Sequence, residues 1–473
     1  MRKTKIICTL GPGSADIETM EKMLRAGMNV ARLNFSHGTH EGHAAMIAKF
    51  RSVRDRLGLP AAVMLDTKGP EVRTGALEGD SVTLSKGQQY TLTIRDVKTN
   101  DEMAGVTYKA LPSQLKRNNI ILIDDGKIGM VVDSTDEENV YCTVTEGGKL
   151  GSHKSINFPN VHLDMPYLSE KDKADLLFGI EQDVDYVAAS FVRSREDVIT
   201  LRKFLDYHGG HKIGVISKIE NNEGVENFEE ILAHSDGIMI ARGDMGVEVE
   251  FERLPGIQKS FIRKCYRAGK IAITATQMLE SMVTNYYPTR AEITDVANAV
   301  FDGTSAIMLS GETAMGVNPP HVIEVMSRIA TQAEKDAIEL DAYHDFRYET
   351  VRNETTNAIC DAACTTARDL GAKAIIALTS SGHTARRVAK FRPSETIVAP
   401  TPELKTYHQL AMSWGVVPVL ARHLDDSEAL FRHATDCAKQ VDIVKPGDTV
   451  VITAGVPLDT SGTTNLLRVQ TVN

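Results

Sequence analysis

The sequence predicts an α/β protein with a closed (β/α)₈ TIM barrel, a small β-barrel lid domain inserted into it, and a further α/β domain. Three observations predict this fold class. Short apolar runs alternate with helical patterns through the first two-thirds of the 473 residues, one interval interrupts the alternation, and a separate pattern begins near residue 336. A chain of this length exceeds what one hydrophobic core supports, so several domains are expected.

Eight apolar runs rich in β-branched residues are the predicted barrel strands, assigned to residues 1–70 and 156–335. Helical segments such as Ile17–Arg25, His43–Leu57 and Lys171–Gln182 lie between them. Continuous apolar strands separated by helices pair in parallel, and a barrel of eight carries its chemistry at the carboxyl ends of its strands. The predicted strands are Lys5–Leu10, Met28–Asn34, Ala61–Asp66, Val184–Ser190, Lys212–Glu220, Gly237–Ala241, Ile271–Thr276 and Ser305–Ser310.

Residues 71–155 interrupt the alternation of strand and helix patterns, and they predict the inserted β domain. They show no helical period, and Asp125-Gly126 between two runs is a strong tight-turn signal. Because the insertion follows the third barrel strand, it is expected to cover the strand ends as a lid. Its predicted strands are Ser81–Leu84, Gln89–Ile94, Gly105–Tyr108, Ile120–Asp124, Lys127–Val132 and Asn139–Thr145.

Residues 336–473 predict the C-terminal α/β domain, with the polar stretch Tyr343–Thr356 as its connection to the barrel. Helices and strands alternate here as they do in the barrel. The predicted helices are Asn357–Leu370, Thr384–Phe391, Leu404–Ser413 and Ser427–Val441, and the predicted strands are Ala374–Thr379, Thr396–Ala399, Val416–Leu420, Thr449–Thr453 and Leu466–Thr471.

Composition excludes several classes of partner. A net charge of −10 argues against nucleic acid and anionic membranes, whose phosphates require a basic face. No stretch approaches the roughly 20 apolar residues of a membrane span. The six cysteines include no Cys-x-x-Cys pair, which favours reduced thiols over zinc or disulfides. We therefore expect a cytoplasmic protein that does not bind nucleic acid or membrane.

Polar residues follow most of the predicted barrel strands. Any one of them could serve as a structural ion pair or cap, but together they predict a binding site at one mouth of the barrel. They are Arg32, Asn34, Ser36 and His37 after the second strand, Asp66, Thr67, Lys68 and Arg73 after the third, Lys218 and Glu220 at the fifth, Arg242, Gly243 and Asp244 after the sixth, Thr276 at the seventh, and Ser310 and Glu312 at the eighth.

Two carboxylates on adjacent predicted strands, Glu220 and Asp244, suit a partly hydrated Mg²⁺. The alternative is that each neutralises a nearby cation. Four cations are expected around them, which is more than two acids balance: Arg32, Arg73, Lys218 and Arg242. This surplus indicates a multiply anionic substrate, and cations with a metal are what phosphoryl transfer requires.

The usual nucleotide-loop motifs are missing from the sequence. It contains neither Gly-x-x-x-x-Gly-Lys-Ser/Thr nor Gly-x-Gly-x-x-Gly, and neither Gly-x-Ser-x-Gly nor His-Glu-x-x-His. In the C-terminal domain, the run Thr379, Ser380, Ser381, Gly382, His383 and Thr384 joins a predicted strand to a helix. It suits a phosphate site at a helix N-terminus, and equally an ordinary capped turn.

These residues, in their local sequence, resemble the pyruvate kinase family over residues 3 to about 465. The family architecture is a barrel, an inserted β lid and a C-terminal α/β domain, and the resemblance is to the bacterial type without an extra C-terminal domain. The matching stretches are KTKIICTLGP, GMNVARLNFSHG, MLDTKGPEVRTG, ISKIEN, DGIMIARGDMGVE, ITATQMLESM, PTRAEITDVANAVFDGTSAIMLSGETAMG and SGTTN.

The resemblance implies a role for each matching residue. Arg32 would line the transferring phosphate and Lys218 would stabilise it in flight. The implied set comprises Glu220 and Asp244 for Mg²⁺ or Mn²⁺, Gly243, Asp244 and Thr276 for the substrate carboxylate, Asn34, Ser36, Asp66 and the Thr67 carbonyl for K⁺, and Asn34, His37, Arg73 and Lys154 for the nucleotide. Glu71 matches the variant associated with potassium dependence.

The implied reaction is the glycolytic transfer of the phosphoryl group from phosphoenolpyruvate to ADP, giving pyruvate and ATP. The lid would exclude water, and Thr276 with a water chain would protonate the enolate. The run from Thr379 to Thr384 resembles an effector loop, which implies allosteric activation by a sugar phosphate, and the family is usually homotetrameric.

Two alternatives compete with this interpretation. Another Mg²⁺-dependent barrel enzyme that handles phosphoenolpyruvate, a mutase or a lyase, would need neither the potassium set nor the β lid. A catalytically inactive scaffold would have lost Lys218 or a metal carboxylate, whereas all of these are present.

Overall fold

The computed structural model describes residues 1–340, 343, 354–424, 426–456 and 464–473. Most of the predicted connection Tyr343–Thr356 lies outside these ranges, and so do residues 461–463 of the SGTTN stretch. Among the described residues, no helix combines the length and apolar character needed to cross a membrane.

The barrel begins with three strands separated by helices. The elements are β1 (Lys5–Thr9), a 3₁₀ turn (Pro12–Ser14), α1 (Ile17–Ala26), β2 (Val30–Asn34), α2 (His40–Leu57) and β3 (Ala62–Asp66). Asp16 caps α1 by accepting a hydrogen bond from the Thr19 amide, and Gly27 ends the helix at φ +114°. A side chain there would be strained, so glycine suits this helix end.

Residues 72–157 form the inserted β structure. Its elements are β4 (Val72–Arg73), β5 (Val82–Leu84), β6 (Gln89–Thr93), β7 (Met103–Gly105), α3 (Leu111–Gln114), β8 (Ile120–Ile123), β9 (Ile128–Thr135), β10 (Asn139–Glu146), β11 (Gly148–Leu150) and β12 (Ser155–Asn157). The main sheet runs β4-β12-β8-β9-β10-β6-β7, and β11 pairs with β5. A bridge between Thr74 and Val106 joins its two edges, so the sheet curls into a barrel.

One lid strand was predicted wrongly. The sequence indicated Gly105–Tyr108, whereas β7 ends at Gly105. At Val106 the chain makes a single bridge to Thr74 on the opposite edge of the sheet, which ends the regular ladder. The predicted turn at Asp125-Gly126 is present, with positive φ at Asp124, Asp125 and Gly126.

The barrel resumes after the lid. Its elements are α4 (Glu170–Glu181), β13 (Tyr186–Ala189), α5 (Arg195–Tyr207), β14 (Gly214–Ile219), α6 (Asn222–Glu226), α7 (Phe228–His234), β15 (Gly237–Ala241), α8 (Arg242–Glu248), a 3₁₀ turn (Phe251–Arg253), α9 (Leu254–Ala268), β16 (Ile271–Ala275), a 3₁₀ turn (Glu280–Val283), α10 (Arg290–Phe301), β17 (Ala306–Leu309), α11 (Gly311–Ala314) and α12 (Pro319–Glu339).

The eight predicted barrel strands close in the order β1-β17-β16-β15-β14-β13-β3-β2, and every neighbouring pair is parallel. This confirms the predicted fold class. Buried side chains such as Ile7, Met64, Tyr186 and Met239 pack as one cluster of strand residues. A larger cluster lies between the strands and the helices. Because both faces of each strand are buried, the strands read as continuous apolar runs.

The C-terminal α/β unit has a five-stranded sheet in the order β20-β19-β18-β21-β22, and β22 is antiparallel to β21. The predicted helix Leu404–Ser413 is shorter than expected, because its last turn is 3₁₀. The elements are α13 (Thr355–Asp369), β18 (Ala374–Ala377), α14 (His383–Lys390), β19 (Thr396–Thr401), α15 (Leu404–Gln409), a 3₁₀ turn (Leu410–Met412), β20 (Val416–Leu420), α16 (Ser427–Gln440), β21 (Thr449–Ala454) and β22 (Leu466–Thr471).

Candidate active site

Strand register brings the polar residues of the sequence together at one end of the barrel. Asn34 and Asp66 are direct partners in the ladder between β2 and β3. Strands β13, β14, β15 and β16 are consecutive neighbours, so the residues that follow them lie side by side. Since all the strands are parallel, their carboxyl ends form a single mouth.

Lys218 lies at the centre of this mouth and is 8% exposed. Its Nζ is 3.0 Å from Asp66 Oδ1 and 3.1 Å from Glu220 Oε1. Burial by itself lowers the pKa of Lys218, but the charges of Asp66 and Glu220 outweigh burial and raise the pKa overall. The ammonium group is therefore fully charged at neutral pH.

Arg32 holds the other oxygen of Asp66. Its Nε donates to Asp66 Oδ2 at 2.6 Å, and its Nη1 donates to Thr9 Oγ1 at 2.8 Å. Burial tends to raise the pKa of Asp66, yet the neighbouring Arg32 and Lys218 lower it overall. One buried carboxylate thus holds both Arg32 and Lys218.

The hydroxyl of Ser190, which follows β13, contacts three polar groups of the site, and the sequence pattern did not indicate this residue. Its hydroxyl lies 2.6 Å from the Thr67 carbonyl oxygen, 3.1 Å from Asp66 Oδ1 and 2.7 Å from Lys218 Nζ. A hydroxyl has one proton and two lone pairs, so it can accept from Lys218 while donating to one of the two oxygens. The only available signal was its place at the end of a predicted strand.

Glu220 is buried and Asp244 is partly buried, and the two carboxyl groups are neighbours. The Phe191 amide donates to Glu220 Oε2 at 2.7 Å. Burial is the main reason that the pKa of Glu220 rises to about 7, and the charges of Asp244 and Asp66 add to the effect. Burial also raises the pKa of Asp244.

This pair suits a divalent cation. Two adjacent carboxylates repel each other less when a cation lies between them, and Mg²⁺ typically takes one or two carboxylates with water and substrate oxygens. Within the described ranges, no group of three or more His, Cys, Asp or Glu side chains is arranged to bind a metal.

The expectation that the mouth carries a surplus of positive charge is wrong. Arg73 pairs with Glu71, and Arg242 pairs with Asp295 at 2.6 Å. The sequence argument counted two acids and overlooked these partners, because Asp295 lies 53 positions from Arg242 on α10. Every cation of the predicted set has a carboxylate partner, so these four cations provide no surplus of positive charge at the mouth.

Thr276 occupies a strained backbone position with φ +69°, which β-branched residues rarely adopt. Arg242 holds it by donating to the Thr276 carbonyl at 2.7 Å and to the Ala275 carbonyl at 3.2 Å. The Thr276 hydroxyl accepts from the Gly243 amide at 2.8 Å and donates to the Ala275 carbonyl at 2.6 Å. The Gly243 backbone and Thr276 are thus adjacent.

At the eighth strand the structure assigns a structural role to Glu312. It is fully buried and accepts hydrogen bonds from the Leu279 amide at 3.1 Å and the Ser310 amide at 2.7 Å. Both of its carboxylate oxygens are therefore engaged by the backbone.

The proposed potassium ligands lie at the ends of β2 and β3. The Asn34 side-chain oxygen accepts from the Ser36 amide at 3.1 Å, and the Thr67 carbonyl accepts from Ser190. Asp66 is already bonded to Arg32, Lys218 and Ser190. Amide, hydroxyl, carboxylate and carbonyl oxygens are the donors that K⁺ takes in proteins, so this set fits that ion.

Two of the predicted nucleotide residues, Arg73 and Lys154, belong to the lid, and two, Asn34 and His37, lie at or after the end of β2. Arg73 Nη1 donates to the His153 carbonyl at 2.8 Å, and Lys154 pairs with Asp124 at 2.8 Å, both within the lid. His37 is exposed after β2, and its carbonyl accepts from the His43 ring at 2.8 Å. Arg73 and Lys154 thus carry charge on the lid side of the mouth.

The lid lies against the barrel mouth. Asn157 Nδ2 donates to Glu248 Oε1 at 2.9 Å, and the negative charges of Glu71 and Asp125 add to the burial that raises the pKa of Asp244. A cavity of about 490 Å³ lies between lid and barrel, and Asp244 and Glu71 are among its lining residues. This volume is in the range of small-molecule sites.

The loop from Thr379 to Thr384 lies far along the chain, at the start of α14. Ser380 accepts from Thr406 Oγ1 at 2.8 Å through its carbonyl, and Arg386 donates to the Ser381 carbonyl at 2.7 Å. Gly382 has φ +81°, a left-handed backbone conformation that favours glycine. Thr384 Oγ1 lies 2.9 Å from Thr464 Oγ1.

Comparison with known proteins gives consistent matches. The family models for the pyruvate kinase barrel domain and the pyruvate kinase alpha/beta domain match residues 1–323 and 357–470. A Clostridium acetobutylicum protein named pyruvate kinase is 47% identical over 473 residues, covering all of both chains. One from Geobacillus stearothermophilus is 44% identical over all of this chain and 81% of its own.

The fold also matches that of a solved structure. The crystal structure of a pyruvate kinase from Cryptosporidium parvum aligns with a TM-score of 0.94 at 38% identity, covering 100% of this chain and 96% of that one.

Proposed function

Because the chain belongs to the pyruvate kinase family, whose members convert phosphoenolpyruvate and ADP to pyruvate and ATP in glycolysis, we propose that the charged mouth of its barrel carries this reaction. The chain is a phosphotransferase of this type, and the family requires a divalent metal ion and K⁺. The observation that supports the site best is Lys218 Nζ, held within 3.1 Å of both Asp66 and Glu220 at the carboxyl end of β14.

The residues divide into four proposed roles. Lys218, Arg32 and Thr276 are catalytic, with Gly243 and Asp244 completing the site for phosphoenolpyruvate. Glu220 and Asp244 hold Mg²⁺ or Mn²⁺, and Asn34, Ser36, Asp66 and Thr67 hold K⁺. Asn34, His37, Arg73 and Lys154 contact the nucleotide phosphates.

In the proposed mechanism, an oxygen of the ADP β-phosphate attacks phosphorus, and the bond from phosphorus to the enol oxygen breaks. Lys218 and Arg32 stabilise negative charge on the transferring oxygens, and they are held in place by Asp66 before the reaction begins. Glu220 and Asp244 would hold a divalent ion, which would supply further neutralisation of phosphate charge. The enolate then takes a proton at carbon and becomes pyruvate.

Proton delivery is assigned to water oriented by Thr276. The Thr276 hydroxyl donates to the Ala275 carbonyl at 2.6 Å, so its own proton is engaged. We therefore propose that Thr276 orients a water molecule and the substrate carboxylate, and does not give up its own proton. The lid limits the entry of other water that could hydrolyse the phosphoryl group.

Regulation, assembly and location are also proposals. The loop from Thr379 to Thr384, between β18 and α14, supports a site for an activating sugar phosphate. A homotetramer is proposed from the family resemblance alone. The free, buried state of all six cysteines supports a reducing cytoplasm. We also propose the division into a barrel of residues 1–70 and 156–335, a lid of 71–155 and a C-terminal domain of 336–473.

The test is an assay of pyruvate formation from phosphoenolpyruvate and ADP with Mg²⁺, with and without K⁺. We expect activity that depends on both ions and falls sharply when K⁺ is replaced by an inert organic cation. The matched variant is Glu71→Lys, which is expected to retain more activity without K⁺. Full wild-type activity without K⁺ would contradict the proposed role of the Asn34–Thr67 oxygens, and no pyruvate at all would contradict the function.

A further inference from the structure

The loop between β13 and α5, residues 190–194, is bonded to two groups of the proposed site at once. The Ser190 hydroxyl lies 2.7 Å from Lys218 Nζ. The amide of the next residue, Phe191, donates to Glu220 Oε2 at 2.7 Å. The position of this β13–α5 loop therefore decides where the proposed catalytic lysine and one of the proposed metal carboxylates lie.

The backbone of this loop is strained at Phe191. Its φ is +53°, a left-handed conformation that a bulky side chain rarely adopts. Such a conformation persists only where surrounding contacts hold it. On the barrel side, the Ser190 amide donates to Thr67 Oγ1 at 3.1 Å, and the Val192 amide donates to the Lys218 carbonyl at 3.3 Å. The remaining contacts come from the chain that leaves the lid.

Arg193 joins the β13–α5 loop to the return connection of the lid, which is residues 158–169 between β12 and α4. Its Nη1 donates to the Leu163 carbonyl at 3.0 Å, and its Nη2 donates to the Met165 carbonyl at 2.9 Å. Asp197 on α5 accepts from Nε at 3.1 Å and from Nη2 at 3.2 Å. A guanidinium group has the fixed, planar set of donors that can serve two carbonyls and a carboxylate together.

The same short stretch of the return connection is bonded to the lid. Tyr108 Oη donates to the Asp164 carbonyl at 2.9 Å, and the Asp164 amide donates to Gln114 Oε1 at 2.9 Å. Tyr108 and Gln114 belong to the lid. Asp164 lies between the two residues whose carbonyls Arg193 holds, so a displacement of the lid acts directly on the partners of Arg193.

A second link runs from the return connection to the same loop. The hydroxyl of Tyr167, a buried side chain, donates to the Ser190 carbonyl at 3.2 Å. Buried Asp172 then ties the two lid connections together, because it accepts from the Gly69 amide at 3.0 Å and from the Ser169 amide at 3.1 Å. Both chains that carry the lid are thus bonded close to the β13–α5 loop.

We infer that Arg193 and Tyr167 are positioning residues for the phosphoryl transfer, because they make the arrangement of the proposed catalytic lysine and metal carboxylate depend on the position of the lid. This inference rests on the proposed function, since it names residues that prepare the proposed site. With the lid seated, the strained loop is held and the site is assembled. With the lid displaced, the loop loses its support, so the reacting groups are aligned only while water is excluded.

The inference is tested with two variants and two matched controls. Arg193→Gln removes the guanidinium group, and Tyr167→Phe removes only a hydroxyl, so that it remains informative where Arg193→Gln does not fold. The controls are Arg54→Gln and Tyr407→Phe. Arg54 is also buried and bonded to a carboxylate and a carbonyl, and the buried Tyr407 donates its hydroxyl to a carbonyl, all outside the lid. Circular dichroism checks the folding of each variant.

The first readout is the assay of pyruvate and ATP at varied Mg²⁺. For Arg193→Gln we expect kcat to fall roughly tenfold or more and the Mg²⁺ concentration for half-maximal activity to rise several-fold. We also expect pyruvate in excess of ATP, because an oxygen of water attacks phosphorus in place of ADP, the bond to the enol oxygen breaks, and inorganic phosphate forms. Tyr167→Phe should change all three quantities in the same direction by smaller factors. Partial unfolding alone would lower kcat and leave the other two unchanged.

The second readout, amide hydrogen exchange of the full chain without substrate, does not depend on activity. We expect faster exchange in residues 190–194 and 214–220 of Arg193→Gln and Tyr167→Phe than in the wild type and the controls. Exchange and kinetics equal to those of the controls would overturn the inference, and so would a change confined to α5. A wild type that forms no pyruvate would count against the proposed function alone, and exchange would still decide the inference.

Discussion

Lys218 illustrates how a single side chain can depend on residues far away in the sequence. Its ammonium group is held by Asp66, 152 positions away, and by Glu220, which directly follows its own strand. These contacts keep its charge fixed and desolvated before substrate binds. A preorganised charge of this kind contributes most in the transition state.

We predict that Lys218→Met lowers kcat by about 10³-fold or more, with little change in the affinity for phosphoenolpyruvate. The readouts are steady-state kinetics and direct titration with phosphoenolpyruvate. Lys218→Arg serves as control because it keeps the charge but changes the geometry, and circular dichroism checks folding. Unchanged kcat in a folded Lys218→Met variant would refute the assignment.

Ser190 links the proposed potassium site to the proposed catalytic lysine. Its hydroxyl contacts the Thr67 carbonyl and Lys218 Nζ, at 2.6 and 2.7 Å. Because it touches both, a change at Ser190 should affect ion activation as well as turnover. We regard it as a positioning residue.

We predict that Ser190→Ala raises the K⁺ concentration needed for half-maximal activity by roughly tenfold and lowers kcat, because Lys218 loses one acceptor. The matched control is Ser217→Ala, which removes a buried hydroxyl bonded to Ser235 instead. An equal effect of the two substitutions on K⁺ activation would indicate a general packing defect and contradict the positioning role.

At the scale of elements, α15 shows how a helix of the C-terminal unit meets the barrel. His408, near its end, is 7% exposed, and its Nδ1 has no partner. The charged groups facing it are Arg54, Asp55, Arg51 and Lys405. Burial, assisted by Arg54, lowers the pKa of His408 to about 4.

This pKa makes stability depend on pH. Between pH 6.5 and 4 the unfolded chain binds a proton at His408 that the folded chain does not, so acidification destabilises the fold, by about 2 kcal/mol from pH 7 to pH 5. We predict that His408→Phe shows a smaller fall in Tm over this range. The control is His208→Phe at an exposed position, whose Tm should fall as much as that of the wild type. A fall in Tm for His408→Phe equal to that of the wild type would contradict the prediction.

For the whole molecule, the barrel and the C-terminal unit meet at an interface where residues 183–212 contact residues 403–405. Lys405 Nζ donates to Asp183 Oδ1 and the Val184 carbonyl, both at 2.7 Å, and lies 3.5 Å from buried Asp185. Lys212 forms only an exposed pair with Glu403 at 3.6 Å. Two lysines at one interface thus have very different surroundings.

We predict that Lys405→Met destabilises this interface by about 1–3 kcal/mol, because charged hydrogen bonds are lost and Asp185 loses its neighbouring cation. Lys212→Met should cost at most about 1 kcal/mol. Differential scanning calorimetry of both variants measures the difference. A larger loss of stability for Lys212→Met would reverse the assignment.

Much of the fold followed from local pattern. Apolar runs predicted each barrel strand to within one or two residues, because strands buried on both faces leave continuous apolar stretches in the sequence. The lid strands followed the sequence pattern less closely. Strand β7 ends at Gly105, where the predicted strand began, because at Val106 the chain makes a single bridge to Thr74 on the opposite edge of the sheet.

By itself, the sequence determined the order of the elements, the residues at the strand ends and the family. Only the tertiary structure decided which charges neutralise one another, that Ser190 joins Lys218 to Thr67, and that Arg193 joins the return connection of the lid to the same loop as Ser190. The physical reason is that periodicity reports which side of an element is buried. The partner of a buried charge, such as Asp295 for Arg242, depends on how elements that are distant in the chain pack together.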